Sequence, residues 1–284
     1  MQGDKVKYIL LSYPLIILIV FFLIPLGILV VSSFYLHTPR EYLKPGFTLE
    51  HYIRFFTTPF YLEKMWFTVK ISLVVALICL FLGYPVAYYL ARMRSGKLRN
   101  IYMITIIGTL WLTYIIRAYA WRIILAGVGP INKILTTVGI LSEPISFAPG
   151  YGAVIVGLIY VFLPFMILTL YSSINNIDIN LEEASLSLGA NRLKTFLKVT
   201  LPLSRNGIIS GVLLVFVLAL GVYVTASILG NPSEWTLAIF IGDTITELLN
   251  IPFAAAMSMV LIALVIGSLG LLAMLTKAKQ KGVS

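Results

Sequence analysis

Residues 151–174 read YGAVIVGLIYVFLPFMILTLYSSI, a run without one charged side chain. A bilayer core about 30 Å thick needs about 20 apolar helical residues, and this run supplies them. Five further stretches do the same, at residues 9–35, 66–91, 101–126, 207–230 and 253–276. The expected fold is therefore an all-α membrane protein with about six transmembrane helices in a single domain over residues 1–284. The first run is too long for a signal peptide. Ser32, Ser33, Phe34 and Tyr35 end it in place of a small-x-small cleavage site, so it reads as a retained helix.

Composition agrees. Of 284 residues, 60% are apolar and 11% charged, and mean hydropathy is +0.98. A soluble domain carries roughly 25% charged residues. The net charge of +10 forms no basic stripe interleaved with aromatics, which argues against nucleic acid. One cysteine, Cys79, and two histidines, His37 and His51, leave no disulfide within the chain and no zinc-type spacing. Pro14, Pro25, Pro85 and Pro164 fall inside the runs. They read as packing kinks or as hinges, both tolerated in membranes where neighbours satisfy the freed carbonyls.

Basic residues set the orientation. Lys5, Lys7, Arg92, Arg94, Lys97, Arg99, Arg192, Lys194, Lys198, Arg205, Lys277, Lys279 and Lys281 share one side of a six-span topology. Arg40, Lys44, Arg54, Lys64 and Lys133 share the other. The larger group places both termini in the cytoplasm. Lys70, Arg117 and Arg122 lie within or at the edges of helices.

Residues 175–206, NNIDINLEEASLSLGANRLKTFLKVTLPLSRN, are too patterned for a simple connector. Asn180 with Glu183 three positions on is a capping-box spacing. Leu181, Ala184 and Leu188 then share a helical face. Gly189 is placed to end the helix in a left-handed conformation. Asn191 is placed to cap a second short helix, with Leu193, Phe196 and Leu197 on one face and Pro202 as its stop. So short a helix needs a covering surface: its own membrane domain or a partner.

Glu183-Ala184-Ser185, three residues, Gly189, nine residues and Val199-Thr200-Leu201-Pro202 resemble the EAA loop of importer permeases of the ATP-binding-cassette family. The family pattern is EAA, three residues, G, nine residues, I-x-L-P. Ser185 stands for the second Ala and Val199 for Ile. Further stretches resemble the spermidine/putrescine permease type, its B-type subunit in particular. They are Leu82-Gly83-Tyr84-Pro85, WLTYIIRAYAW at 111–121, Gly129-Pro130-Ile131-Asn132, Leu163-Pro164-Phe165-Met166, Tyr171-Ser172-Ser173-Ile174 and Leu229-Gly230. Asn206-Gly207 and Ala226 depart from that type, which often has Pro-Gly and Pro there.

The resemblance implies a MetI-like permease fold in a bacterial or archaeal inner membrane, with residues 175–206 carrying a cytoplasmic coupling helix. Glu183, Ala184, Ser185, Gly189, Leu201 and Pro202 would form the coupling site for a dimer of ATPases. ATP and Mg2+ would sit on those partners, with no cofactor on this chain. A second permease, a different chain, and an external substrate-binding protein complete the implied assembly, and the implied substrate is a polyamine. The chain lacks G-x-x-x-x-G-K-S/T, the usual phosphate-binding loop of an ATPase.

Candidate pathway residues are fewer. Arg117 among Trp111, Tyr114, Tyr119 and Trp121 reads as an interfacial anchor or as a gate held by an acidic residue of a neighbouring helix. Glu234, Asp243 and Glu247, with Trp235 and no Lys or Arg between the last two runs, favour a cation near a pathway mouth; a solvated interfacial helix is the alternative. Competing functions are import of another small solute, such as an amino-acid-like compound or a metal ion, ion-coupled secondary transport, and intramembrane catalysis. The acidic residues sit in loops and tails, and H-E-x-x-H and G-x-S-x-G are missing from the sequence.

Overall fold

The computed structural model describes residues 14–38 and 41–280, with side chains omitted at 41 and 271–280. The expected start of the first span at residue 9, and Lys5, Lys7, Arg40 and Lys281, lie outside the described residues. In chain order the elements are α1 Pro14–Ser32, β1 Leu36–Thr38, β2 Glu41–Lys44, α2 Glu50–Thr57, α3 Pro59–Ala91, α4 Gly96–Gly108, α5 Tyr114–Leu125, α6 Pro130–Thr137, α7 Tyr151–Asn175 and α8 Ile179–Ser187. There follow α9 Arg192–Leu203, α10 Arg205–Leu220, α11 Val224–Leu229, α12 Leu237–Thr246 and α13 Ile251–Gln280.

Among the described residues, four helices are long and apolar enough to cross a membrane unbroken: α1, α3, α7 and α13 over Ile251–Gly270. Two bent pairs bring the number to six. Gly96–Trp111 meets Tyr114–Thr137 at 95°, and α9 meets α10 at 64°. Two expectations change here. The run at 101–126 is not one helix: it tightens into a 3-10 turn at Thr109–Trp111, and Leu112 and the residue capping α5, Thr113, are extended. The run at 207–230 is interrupted too, because α10 ends at Leu220 and α11 starts only at Val224. At that break the Thr236 hydroxyl donates to the freed Val222 carbonyl at 2.7 Å, the substitution that irregular backbone at membrane depth requires. A small antiparallel hairpin, pairing Leu36 with Lys44 and Thr38 with Glu41, adds strand to the expected all-α chain.

Prolines leave a second signature. A π-turn at Ile19–Leu23 directly precedes Pro25, and another at Phe196–Thr200 precedes Pro202. Proline lacks the N–H and crowds the carbonyl four residues back; widening the preceding turn relieves both. Pro202 therefore does not stop its helix, as its residue type suggests. The helix runs on through Leu203 and breaks at Ser204.

The chain divides into two compact units, residues 1–63 with 240–264 and residues 64–239 with 265–284. In the first, Phe55 and Phe253 are fully buried. Tyr61 meets Phe253 edge-on, and Phe60 meets Phe240 likewise. The Arg54 guanidinium lies 4.5 Å from the centre of the Phe253 ring. The second unit has α7 at its centre. Leu158, Met166, Leu170 and Ile174 of α7 are buried with Val75 and Cys79 of α3 and Val215 of α10. Glycines permit the closest approaches. A side chain at Gly207 would strike Ser173, one at Gly157 would strike Leu229, and one at Gly211 would come within 2.8 Å of the Met166 sulfur. Gly207 and Gly211 are four apart in α10, the small-xxx-small spacing by which membrane helices pack.

Candidate functional site

The candidate site is built by α8, α9 and the ends of the spans beside them. Asp178 caps α8: its carboxylate accepts the Asn180 N–H at 3.0 Å. The capping box expected of Asn180 and Glu183 is therefore replaced. Asp178 lies two residues upstream and is itself a strong capping residue, so Asn180 falls inside the first turn. At the other end Gly189 takes φ +87°. The Ala190 N–H reaches back to the Ser185 carbonyl at 3.1 Å, the six-to-one bond of a Schellman ending. Asn191 then caps α9 by accepting the Lys194 N–H at 2.8 Å.

Adjacent glutamates on α8 take opposite roles. Glu183 is exposed to solvent, whereas Glu182 is 8% exposed. Arg92, just beyond α3, donates from Nε to both Glu182 carboxylate oxygens at 3.1 Å and from its terminal nitrogen at 2.8 Å. The same guanidinium reaches the carbonyls of Ile174 and Ile177 at 3.3 and 3.4 Å. Thr200, fully buried, donates its hydroxyl to Glu182 at 2.7 Å. Burial by itself pushes the Glu182 carboxyl up, but the Arg92 hydrogen bonds, the Thr200 hydroxyl and the Arg92 charge outweigh it and hold the carboxyl below its ordinary value. Sequence reasoning passed over Arg92, Glu182 and Thr200. The doubled acid Glu182-Glu183 was the available signal, because neighbours on a helix point about 100° apart.

The faces left open are apolar. Leu181, Leu186, Leu188 and Leu193 are all more than two-fifths exposed. A groove of about 590 Å³ is lined by Leu181, Ala184, Ser185, Leu188, Lys198, Val199 and Pro202. A second cleft of about 990 Å³ is lined by residues including Tyr89, Arg94, Glu183, Leu186 and Arg192. Pro202 is exposed, and Leu201 is half-buried with its carbonyl accepting from Ser204 at 3.1 Å.

The other predicted residues are more scattered. Arg117 is 4% exposed and touches no carboxylate among the described residues: it donates to the Thr109 carbonyl, which the broken span turns toward it. Tyr114 and Tyr160 place their rings 5.7 and 5.9 Å from its guanidinium. The acidic partner expected for a gate is thus replaced by a carbonyl and two ring faces. Tyr114 also lines a cleft of about 250 Å³ with Phe162, Leu218 and Gly221 to Thr225, at the break in the fifth span. Trp111 is 88% exposed and lies outside that cleft. Trp235 packs on the core of the second unit, beside a capping box in which the Glu234 carboxylate accepts the Asn231 N–H. Asp243 and Glu247 belong to the first unit. Burial, and after it the Glu247 carboxylate, pushes the Asp243 carboxyl above its ordinary value.

Up to six apolar spans, two of them bent, and the capped helix α8, whose glycine ending leads into the fifth, define a polytopic permease-type membrane protein. Residues 83–280 match the binding-protein-dependent transport system inner membrane component family. The chain belongs to that family. It is 36% identical over 248 residues to the spermidine/putrescine transport system permease protein PotB of Escherichia coli K12, covering 86% of this chain and 88% of the relative. It is 37% identical over 256 residues to PotB of Haemophilus influenzae, covering 88% and 87%. Its fold is similar to a chain of a bacterial transporter importing the acidic polysaccharide alginate, with a TM-score of 0.70, 17% identity and 97% of each chain covered. It is also similar to a chain of the MetNI methionine transporter, with a TM-score of 0.58, 20% identity, and 76% of this chain and 94% of that one covered.

Proposed function

We propose that this chain is one of two permease subunits of an ATP-binding-cassette importer for small polyamines, and that α8 docks on a cytoplasmic ATPase. The observation that carries the proposal is the division of the doubled acid. Glu182 is consumed inside, while Glu183, Ala184 and the Gly189 ending stay open beside the apolar grooves. A basic groove on an ATPase would find an acidic residue with close backbone approach. The ATPase dimer binds the ATP and Mg2+. This chain binds no nucleotide and catalyses no hydrolysis, consistent with a sequence free of the phosphate-binding loop. Spermidine or putrescine as cargo is supported by the names of the PotB relatives. An external binding protein delivers the cargo, the second permease is a different chain, and both termini are cytoplasmic.

Substrate passes the bilayer beside the broken fifth span. Irregular backbone at membrane depth is tolerated where it lines a cavity, and Tyr223, which lines it, is an aromatic ring of the kind that attracts an ammonium group. Asp243 and Glu247 supply negative charge that favours a cation, and Trp235 is a ring of the kind that attracts one. Arg117 is structural, since a fixed cation repels a polyamine.

The test is co-purification from membranes of the wild-type chain and of the double variant Glu183→Ala, Gly189→Asp, with uptake of labelled spermidine and putrescine. Loss of the ATPase and of uptake by a folded variant is the expected result. A variant that keeps its ATPase and its uptake refutes the docking assignment.

A further inference from the structure

We infer that Arg92, Glu182 and Thr200 form the strut through which α8 drives the membrane spans, with Arg92 and Glu182 as positioning residues. The inference rests on the reading of α8 as the ATPase-docking helix. One carboxylate joins three spans. Arg92 ties it to the end of α3, and the same guanidinium holds the Ile174 and Ile177 carbonyls at the end of α7. Thr200 ties it to the π-turn that leads into α10. Beyond these contacts, the side-chain hydrogen bond from α8 to another element, among the described residues, is Ser185 with Thr195 at 3.1 Å.

Nine residues have little helical stability of their own, so α8 sits where these bonds hold it. The Arg92 fork is planar and two-pronged, a geometry that a lysine ammonium cannot reproduce. Thr200 is fully buried and Glu182 nearly so, where an unmet carboxylate is costly. A displaced α8 therefore drags its partners rather than sliding past them. The receiving end is an irregular turn, a π-turn ahead of Pro202, of the kind that often marks functional sites. Next to it Tyr84 bonds Ser204 at 2.7 Å, and Phe196 stands edge-on to Tyr84 and Tyr88. That packing returns the motion to α3.

The test uses the whole importer in proteoliposomes, with Arg92→Gln, Arg92→Lys and Thr200→Val. Uptake per ATP hydrolysed and hydrogen exchange of the α8 amides are read together. Arg92→Gln is expected to lower the uptake-to-hydrolysis ratio on the order of tenfold with the ATPase still bound. Its α8 exchange should quicken by about the same factor, the effect of losing charge-assisted bonds on local opening. Arg92→Lys should recover part of the ratio, and exchange in the middle of α7, away from the Ile174 and Ile177 carbonyls that Arg92 holds, should not change. An unchanged ratio with the ATPase bound, or unchanged α8 exchange, overturns the strut. Should Arg92→Gln fail to fold, Arg92→Lys and Thr200→Val decide by the same two readings. If the ATPase binds neither wild type nor variant, the docking assignment fails instead, and α8 exchange still decides whether the strut holds the helix.

Discussion

Replacing Gly207 by alanine should loosen the joint between α7 and α10, and the cost can be worked from the contact. A Cβ at Gly207 would collide with the Ser173 Cβ and Oγ, and the Ser173 Cα lies only 3.7 Å away. Carbon atoms pack at about 3.5–4.0 Å. A Cβ does not rotate out of the way, so the helices must part or tilt. Overpacking of this kind costs about 1–3 kcal/mol, partly offset by up to about 1 kcal/mol of helix propensity. The net expectation is a loss of about 1–2 kcal/mol. Gly211→Ala is the control on the same helix: its new methyl meets the end of the Met166 side chain at 2.8 Å. A flexible thioether can swing aside, so that change should stay within about 0.5 kcal/mol. The assay is reversible unfolding in mixed micelles against SDS mole fraction, followed by tryptophan fluorescence. Ser173→Gly supplies the double-mutant cycle, and its coupling with Gly207→Ala should be about 1 kcal/mol or more. If Gly207→Ala proves no less stable than Gly211→Ala, the reasoning from close approach is wrong.

Gly189→Ala should destabilise α8 by about 1 kcal/mol through backbone alone, since φ is +87° and no atom lies within 4 Å of the added methyl; exchange of the Ala190 amide would show it. Leu249 holds φ +52°, a strain of about 1–2 kcal/mol; set against about 0.5–1 kcal/mol of glycine backbone entropy, Leu249→Gly should stabilise the fold by about 0.5 kcal/mol, and a lower unfolding midpoint would refute that. Glu182 is held below its ordinary value, so its contribution is complete above the unfolded glutamate pKa of about 4.3 and is lost as pH falls through the lower folded value. Protease access to α8 should thus stay flat from neutral pH to about 5, rise in stronger acid, and lose that dependence in Glu182→Gln.

The spans were legible because a run of twenty apolar residues has one economical fate in lipid. The breaks were not, for reasons that differ by position. Leu112 and Thr113 carry no breaker chemistry, and the turn there is fixed by tertiary contacts such as Arg117 folding back on Thr109. Pro202 carries the strongest breaker chemistry, yet the helix absorbs it in a π-turn and ends at Ser204. In the loop, Gly189 and Asn191 could be read from residue type because each answers a local backbone need. Asn180 could not, because Asp178 competes for the same cap and sequence spacing does not rank the two. The Gly207–Gly211 spacing was readable and went unused: counting apolar residues is blind to which helix face must be bare.

The glutamate pair shows why a spacing motif can locate a site and still leave its division of labour open. On a helix, consecutive side chains diverge by about 100°, so a doubled acid cannot put both carboxylates on one face. Whichever glutamate meets Arg92 obliges the other to face outward. Burying Glu182 is costly unless its charge is paired, and Arg92 with Thr200 supplies that pairing. Exposed Glu183 has no such requirement and is free for a partner's basic residue. The inward acid fixes where the helix sits, and the outward acid is then presented at a defined height beside Ala184. A Glu182→Ala change should therefore weaken docking at Glu183 without touching it.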